Sequence, residues 1–159
     1  MKIRSLFAAA MVVSSSAAFA APISLDATVN AVIPSATGLD VYAVNGWNTI
    51  PLQMDYDRTA KTLGTVGGAV SIKGGTKEVN AYLVSAPVMV SAGESIPLTV
   101  TVAGLPLAVG SAAAVEVVNA ADVVGGKQVQ FVIGAGPVTG GYKEGNYQGV
   151  VNTMFEAAP

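Results

Sequence analysis

A run of eleven residues near the head of the chain constrains its fold more than any other feature. From Ile23 to Ile33 the sequence reads Ile-Ser-Leu-Asp-Ala-Thr-Val-Asn-Ala-Val-Ile, with Ile23, Leu25, Ala27, Val29, Ala31 and Ile33 at every second position. Ser24, Asp26, Thr28 and Asn30 fall between them. A β-strand turns alternate side chains to opposite faces, so this stretch has one apolar edge and one polar edge. At about 3.3 Å per residue it reaches roughly 36 Å, well beyond the usual strand of about six residues. Pro34 lacks the N–H that a ladder needs and ends the run. Alternation by itself admits two readings: the first strand of an ordinary sandwich, or a strand whose apolar edge is buried in another subunit.

Residues 1–20 read as a cleaved signal peptide. Lys2 and Arg4 supply positive charge, Leu6 to Val13 is unbroken and apolar, and Ala18-Phe19-Ala20 offers small residues where a signal peptidase reads. The apolar run is shorter than the roughly 20 residues that span a bilayer, and no later stretch replaces it. The expectation is an exported chain that does not span the membrane. Its charge, once Lys2 and Arg4 are removed from the 8 basic residues, is 6 − 10 = −4.

Composition sharpens this. The chain is 52% hydrophobic and only 11% charged, with 18 glycines and no cysteine. Stability must therefore come from packing or partners rather than disulfides. A mildly acidic chain without a basic patch argues against nucleic acid and anionic membrane surfaces. So apolar and weakly charged a surface suits a protein whose faces are covered by copies of itself.

The body reads as short strands cut by glycine and proline: Thr49 to Met54, Ala69 to Ile72, Glu78 to Ser85, Ile96 to Val102, Leu107 to Val109 and Val129 to Ile133. Pro97 suggests that its strand lies at an edge or is just beginning. Ala113 to Val118 is ambiguous, since alanine also favours helix. The last element is one long strand over Asn146 to Glu156, after which only Ala157-Ala158-Pro159 remains. Strands at this spacing with turn residues between them predict an antiparallel sandwich. The chain is expected to carry a surplus strand at its head and to lack a covering strand at its tail.

The chemistry of catalysis is sparse. Without histidine or cysteine, neither a Ser-His-Asp or Cys-His arrangement nor the common zinc sites can be built. Asp55-Tyr56-Asp57 sets two carboxylates on one face of an extended segment, a pattern that fits a calcium ion or an acid/base pair. The plainer reading is a solvated turn balanced by Arg58 and Lys61. Gly126-Lys127 is followed by Gln128 rather than Ser or Thr, so it is no phosphate loop. Trp47, the only tryptophan, suits sugar stacking or packing beside the Asn45-Gly46 turn. No catalytic residue, metal ligand or cofactor is assigned.

The two ends together resemble the major pilins of the alternate chaperone–usher pathway, of the colonisation factor antigen type. The likeness is carried by Ile23-Ser-Leu-Asp-Ala-Thr-Val-Asn-Ala-Val-Ile33 and by Gly145-Asn-Tyr-Gln-Gly-Val-Val151. Leu52-Gln-Met-Asp-Tyr-Asp57, Lys61-Thr-Leu63 and Ser95-Ile-Pro-Leu-Thr-Val100 also match, whereas Ala31 stands where the family carries proline. The resemblance implies an all-β fold, an incomplete immunoglobulin-like β-sandwich completed by a donor strand from a neighbouring subunit. It divides the chain into a signal peptide (1–20), a donor extension (21–34) and a pilin domain (35–159). The implied pocket residues of the donor are Ile23, Leu25, Ala27, Val29 and Ala31. The implied acceptor groove comprises Tyr147, Gly149, Val150, Val151, Thr153 and Phe155. Copies of the chain itself, a periplasmic chaperone, an outer-membrane usher and a tip adhesin are the implied partners, and the implied location is a surface pilus reached through the periplasm. The alternative is a secreted, self-contained sandwich that binds sugar or protein, with its first strand folded onto its own body.

Overall fold

A computed structural model describes residues 38–159. In chain order its elements begin with β1 (Asp40–Ala43), a 3-10 turn (Val44–Thr49), β2 (Tyr56–Asp57), β3 (Thr62–Leu63) and β4 (Val66–Lys73). Then come β5 (Val79–Leu83), β6 (Val88–Ser91), β7 (Glu94–Val102) and β8 (Leu105–Pro106). After a short 3-10 turn (Ser111–Ala113) follow β9 (Val115–Val118), the helix α1 (Ala120–Gly125), β10 (Lys127–Ala135), β11 (Gln148–Gly149) and β12 (Thr153–Ala157).

The strands form two sheets and a small hairpin. The larger sheet runs β1-β4-β10-β7-β6-β11, with β8 paired to β7; the smaller runs β12-β5-β9; β2 and β3 pair with each other. Every ladder is antiparallel. Alternation decides the inner faces. In β5, Val79, Ala81 and Leu83 are buried while Asn80 and Tyr82 are not. In β10 the buried row is Val129, Phe131 and Ile133, and in β7 it is Ile96, Val100 and Val102. These rows, Ile96 apart, join Val70 and Ile72 of β4 and Val117 and Val118 of β9 in one core. The fold is thus the all-β sandwich expected of the alternating runs.

Tight two-residue turns connect β6 to β7 and β7 to β8. Ala92-Gly93 and Ala103-Gly104 both take positive φ at each position, the mirror-image turn that matches strand twist. The Asn119 side chain accepts from the Asp122 N–H and starts α1, whose Val123 is fully buried.

Several sequence expectations are corrected. Thr49 to Met54 is not a strand: Asn45 and Gly46 both adopt positive φ, turning the chain out of β1 and into the 3-10 turn. Leu107 to Val109 makes a single bridge, Leu83 to Val109, rather than a strand. Ala113 to Val118 divides into a turn and β9. Pro97 is not on an edge strand, since β7 lies between β10 and β6. Proline is tolerated because β10 ends opposite Leu98; beyond it only Gly136 N–H meets the Pro97 carbonyl, at 2.7 Å. The supposed single strand from Asn146 to Glu156 is two: β11 pairs with β6 in the larger sheet and β12 with β5 in the smaller. The chain crosses between sheets through Val150, Val151 and Asn152, and alternation cannot register such a crossing.

Candidate functional site

The feature that invites a partner is the outer edge of β12. On one side β12 pairs with β5, from Thr153 opposite Leu83 to Ala157 opposite Val79. Val84 N–H donates to the Asn152 carbonyl and Ala158 N–H to the Glu78 carbonyl, each at 2.9 Å, extending that ladder at both ends. In an antiparallel pair the main-chain groups of successive residues point to opposite sides. Those of Asn152, Met154, Glu156 and Ala158 therefore face β5, and those of Val151, Thr153, Phe155 and Ala157 face away. Among the described residues no strand pairs with that second side.

The same residues carry the row turned toward the core. Val151 and Phe155 pack against the core cluster, while Met154 on the opposite face is 45% exposed. Thr153 lies between Val151 and Phe155 in this row, its Oγ1 enclosed and without a hydrogen-bond partner among the described residues. The row has no charged side chain. An uncharged, partly covered row beside an unpaired ladder can add a strand by main-chain hydrogen bonds and accept alternate side chains between the sheets.

Of the acceptor residues named from sequence, the structure brings Val151, Thr153 and Phe155 together. Val150 is 72% exposed in the crossing between sheets. Gly149 belongs to β11, where a Cβ would collide with the Val88 carbonyl, so glycine permits the close approach to β6. Tyr147 precedes it, its hydroxyl donating to the Lys143 carbonyl at 3.2 Å. These three therefore lie apart from the β12 row. Sequence reasoning missed Ala157, although the spacing 151, 153, 155, 157 already pointed to it. The donor residues Ile23, Leu25, Ala27, Val29 and Ala31 lie outside the described residues.

The other candidates resolve into structural roles. Asp57 Oδ1 accepts from the N–H groups of Thr59 and Ala60, at 2.7 and 2.9 Å, in the turn between β2 and β3. The Ala60 bond, then that of Thr59, holds this carboxyl below the usual carboxylate range. Trp47 lies over Gly68, donates from Nε1 to the Ala69 carbonyl at 2.8 Å and packs 5.5 Å from the Phe131 ring. It thus covers the part of β4 that β1 does not reach. A hollow of about 230 Å³ beside Gly67 is lined by Thr65, Val66, Gln130, Phe131 and Val132, with no titratable group in its wall. Among the described residues no group of three or more acidic side chains converges as a metal site requires, and no helix is long and apolar enough to cross a membrane.

The family model described as CS1 type fimbrial major subunit matches residues 23–156. The fold is similar to the structure of the CooA pilin subunit from enterotoxigenic Escherichia coli, with a TM-score of 0.59 and 18% sequence identity. That match covers 75% of this chain and 86% of the other. Among curated proteins no sequence matches.

Proposed function

The chain belongs to the CS1-type fimbrial major subunits, and from that premise we propose that each copy lends residues 23–33 to the open edge of β12 in the next. As a fimbrial major subunit it is a structural protein that associates with copies of itself in an extracellular pilus. The observation that carries the donor reading is the pairing of β12 with β5 alone, leaving Val151, Thr153, Phe155 and Ala157 without a ladder partner among the described residues. An alternating strand at the head of the sequence supplies what such an edge lacks. Ile23, Leu25, Ala27, Val29 and Ala31 enter between the sheets while the main chains pair. Each large side chain contributes about 1.5–3 kcal/mol when fully buried, and alanine much less.

An open edge in a chain this apolar needs cover before assembly. A periplasmic chaperone lends a temporary strand, and an outer-membrane usher exchanges it for the extension of the next subunit. Deleting Pro22 to Ile33 tests the donor role. The shortened chain should remain in a soluble chaperone complex and form no filaments in electron micrographs. Filaments built from it would remove the donor role.

A further inference from the structure

Thr153 is out of keeping with its row. Val151 and Phe155 on either side are apolar, yet Thr153 Oγ1 is enclosed, and among the described residues it is the one buried side-chain nitrogen or oxygen without a hydrogen-bond partner. A bulky apolar side chain laid across it would seal the hydroxyl from any partner. A small one leaves the threonine room to turn its hydroxyl toward a partner.

We propose that Thr153 sets the register in which the strand of a second copy docks, with Ala27 of that copy opposite Thr153. This rests on the donor-strand reading above and refines it. Both ladders of the smaller sheet are antiparallel, so an added strand of the same kind pairs residues whose numbers share one sum. With Ala27 on Thr153, Val29 meets Val151, Leu25 meets Phe155 and Ile23 meets Ala157. A slip of one residue would turn Asp26 and Thr28 inward and expose the apolar edge, so only even slips compete. A slip of two lays Leu25 or Val29 over the Thr153 hydroxyl. Setting Ala31 there instead leaves Ala27 against Ala157, two small residues, and carries Leu25 and Ile23 past the end of β12. Only the Ala27 register gives the hydroxyl a small neighbour and keeps Ile23, Leu25 and Val29 over the row from Val151 to Ala157.

Cysteine pairs test this, because the chain has none of its own. In the proposed register Asp26 faces Met154 and Thr28 faces Asn152 in outward, non-hydrogen-bonded pairs, the close spacing that a disulfide suits. Filaments of the full chain carrying Asp26→Cys with Met154→Cys, oxidised and boiled without reductant, should run as a ladder that collapses on reduction. Asp26→Cys with Asn152→Cys, the pair for a slip of two, should run as single subunits. In a Thr153→Val background this slipped pair should begin to cross-link. A ladder from the slipped pair alone would overturn the register while leaving strand donation intact. If Thr153→Val keeps cross-linking confined to the first pair, Thr153 does not set the register. Filaments without a ladder from any pairing of Asp26 or Thr28 with Asn152, Met154 or Glu156, or a disulfide closed within one chain, would overturn strand donation itself.

Discussion

Replacing Trp47 with alanine should unfold the chain at markedly lower denaturant. The indole lies over Gly68, where an added Cβ would come within 2.5 Å of Cδ1, and it packs at a 42° tilt on Phe131. Truncating a fully buried aromatic costs about 3–5 kcal/mol, and Trp47 is only partly buried, so roughly half of that applies. Losing the bond from Nε1 to the Ala69 carbonyl adds about 0.5–1.5 kcal/mol. The total is roughly 2–4 kcal/mol, which lowers a urea midpoint by about 1–2 M at the slopes usual for small domains. Circular dichroism is the suitable probe, because the substitution removes the only tryptophan. Trp47→Phe should recover most of the ring contact but not the hydrogen bond. An unchanged midpoint for Trp47→Ala would refute the packing role and return Trp47 to the surface as a ligand-stacking residue.

Phe155→Ala should cost about 1.5–3 kcal/mol in the subunit and reduce filament yield, because its ring packs on the core beside the outer edge of β12. Met154→Ala, on the exposed face, should change the melting temperature little; equal effects of the two would mean that the faces of β12 are misassigned. Lys143 donates to the Glu94 carboxylate, a bond that raises its pKa above the ordinary lysine value. A raised pKa means that the contribution is present at neutral pH and lost as pH rises through it, so melting temperatures of the wild type and Lys143→Met should converge only in strong alkali. The Asp57 carboxyl, held down by its two turn bonds, has the opposite sign. Its small contribution should disappear as pH falls below the usual carboxylate range, and Asp57→Ala should lose that acid dependence in thermal melts.

The sandwich was legible wherever one strand face is buried and the other wet, as in Val79–Leu83 and Val129–Ile133. The period of two follows from half-burial, so it marks such strands and little else. It misled at Thr49 to Met54, where the positive φ of Asn45 and Gly46 overrides a plausible extended run. It misled again at the tail, where Gly149 and Thr153 share a phase but lie on opposite sides of a sheet crossing. That crossing is why Tyr147, Gly149 and Val150, named from sequence as acceptor residues, stand off the row that Val151 begins and β12 continues. The six-residue helix α1 is too short for a period, although Asn119 with Asp122 three residues on is a capping pattern. Nor is the orphaned hydroxyl of Thr153 visible in sequence, where it is simply a threonine on an alternating strand.

The open edge of β12 is tested most directly by filling it within one chain. A second copy of Ala21 to Pro34, joined to the C-terminus through a flexible linker, should lie along Val151, Thr153, Phe155 and Ala157 and complete the smaller sheet. Thermal melting with size-exclusion chromatography, against the unfused chain, is the measurement. The fused chain should be a monomer that no longer polymerises and melts well above the unfused subunit. A fused chain that melts where the unfused one does and still polymerises would contradict it.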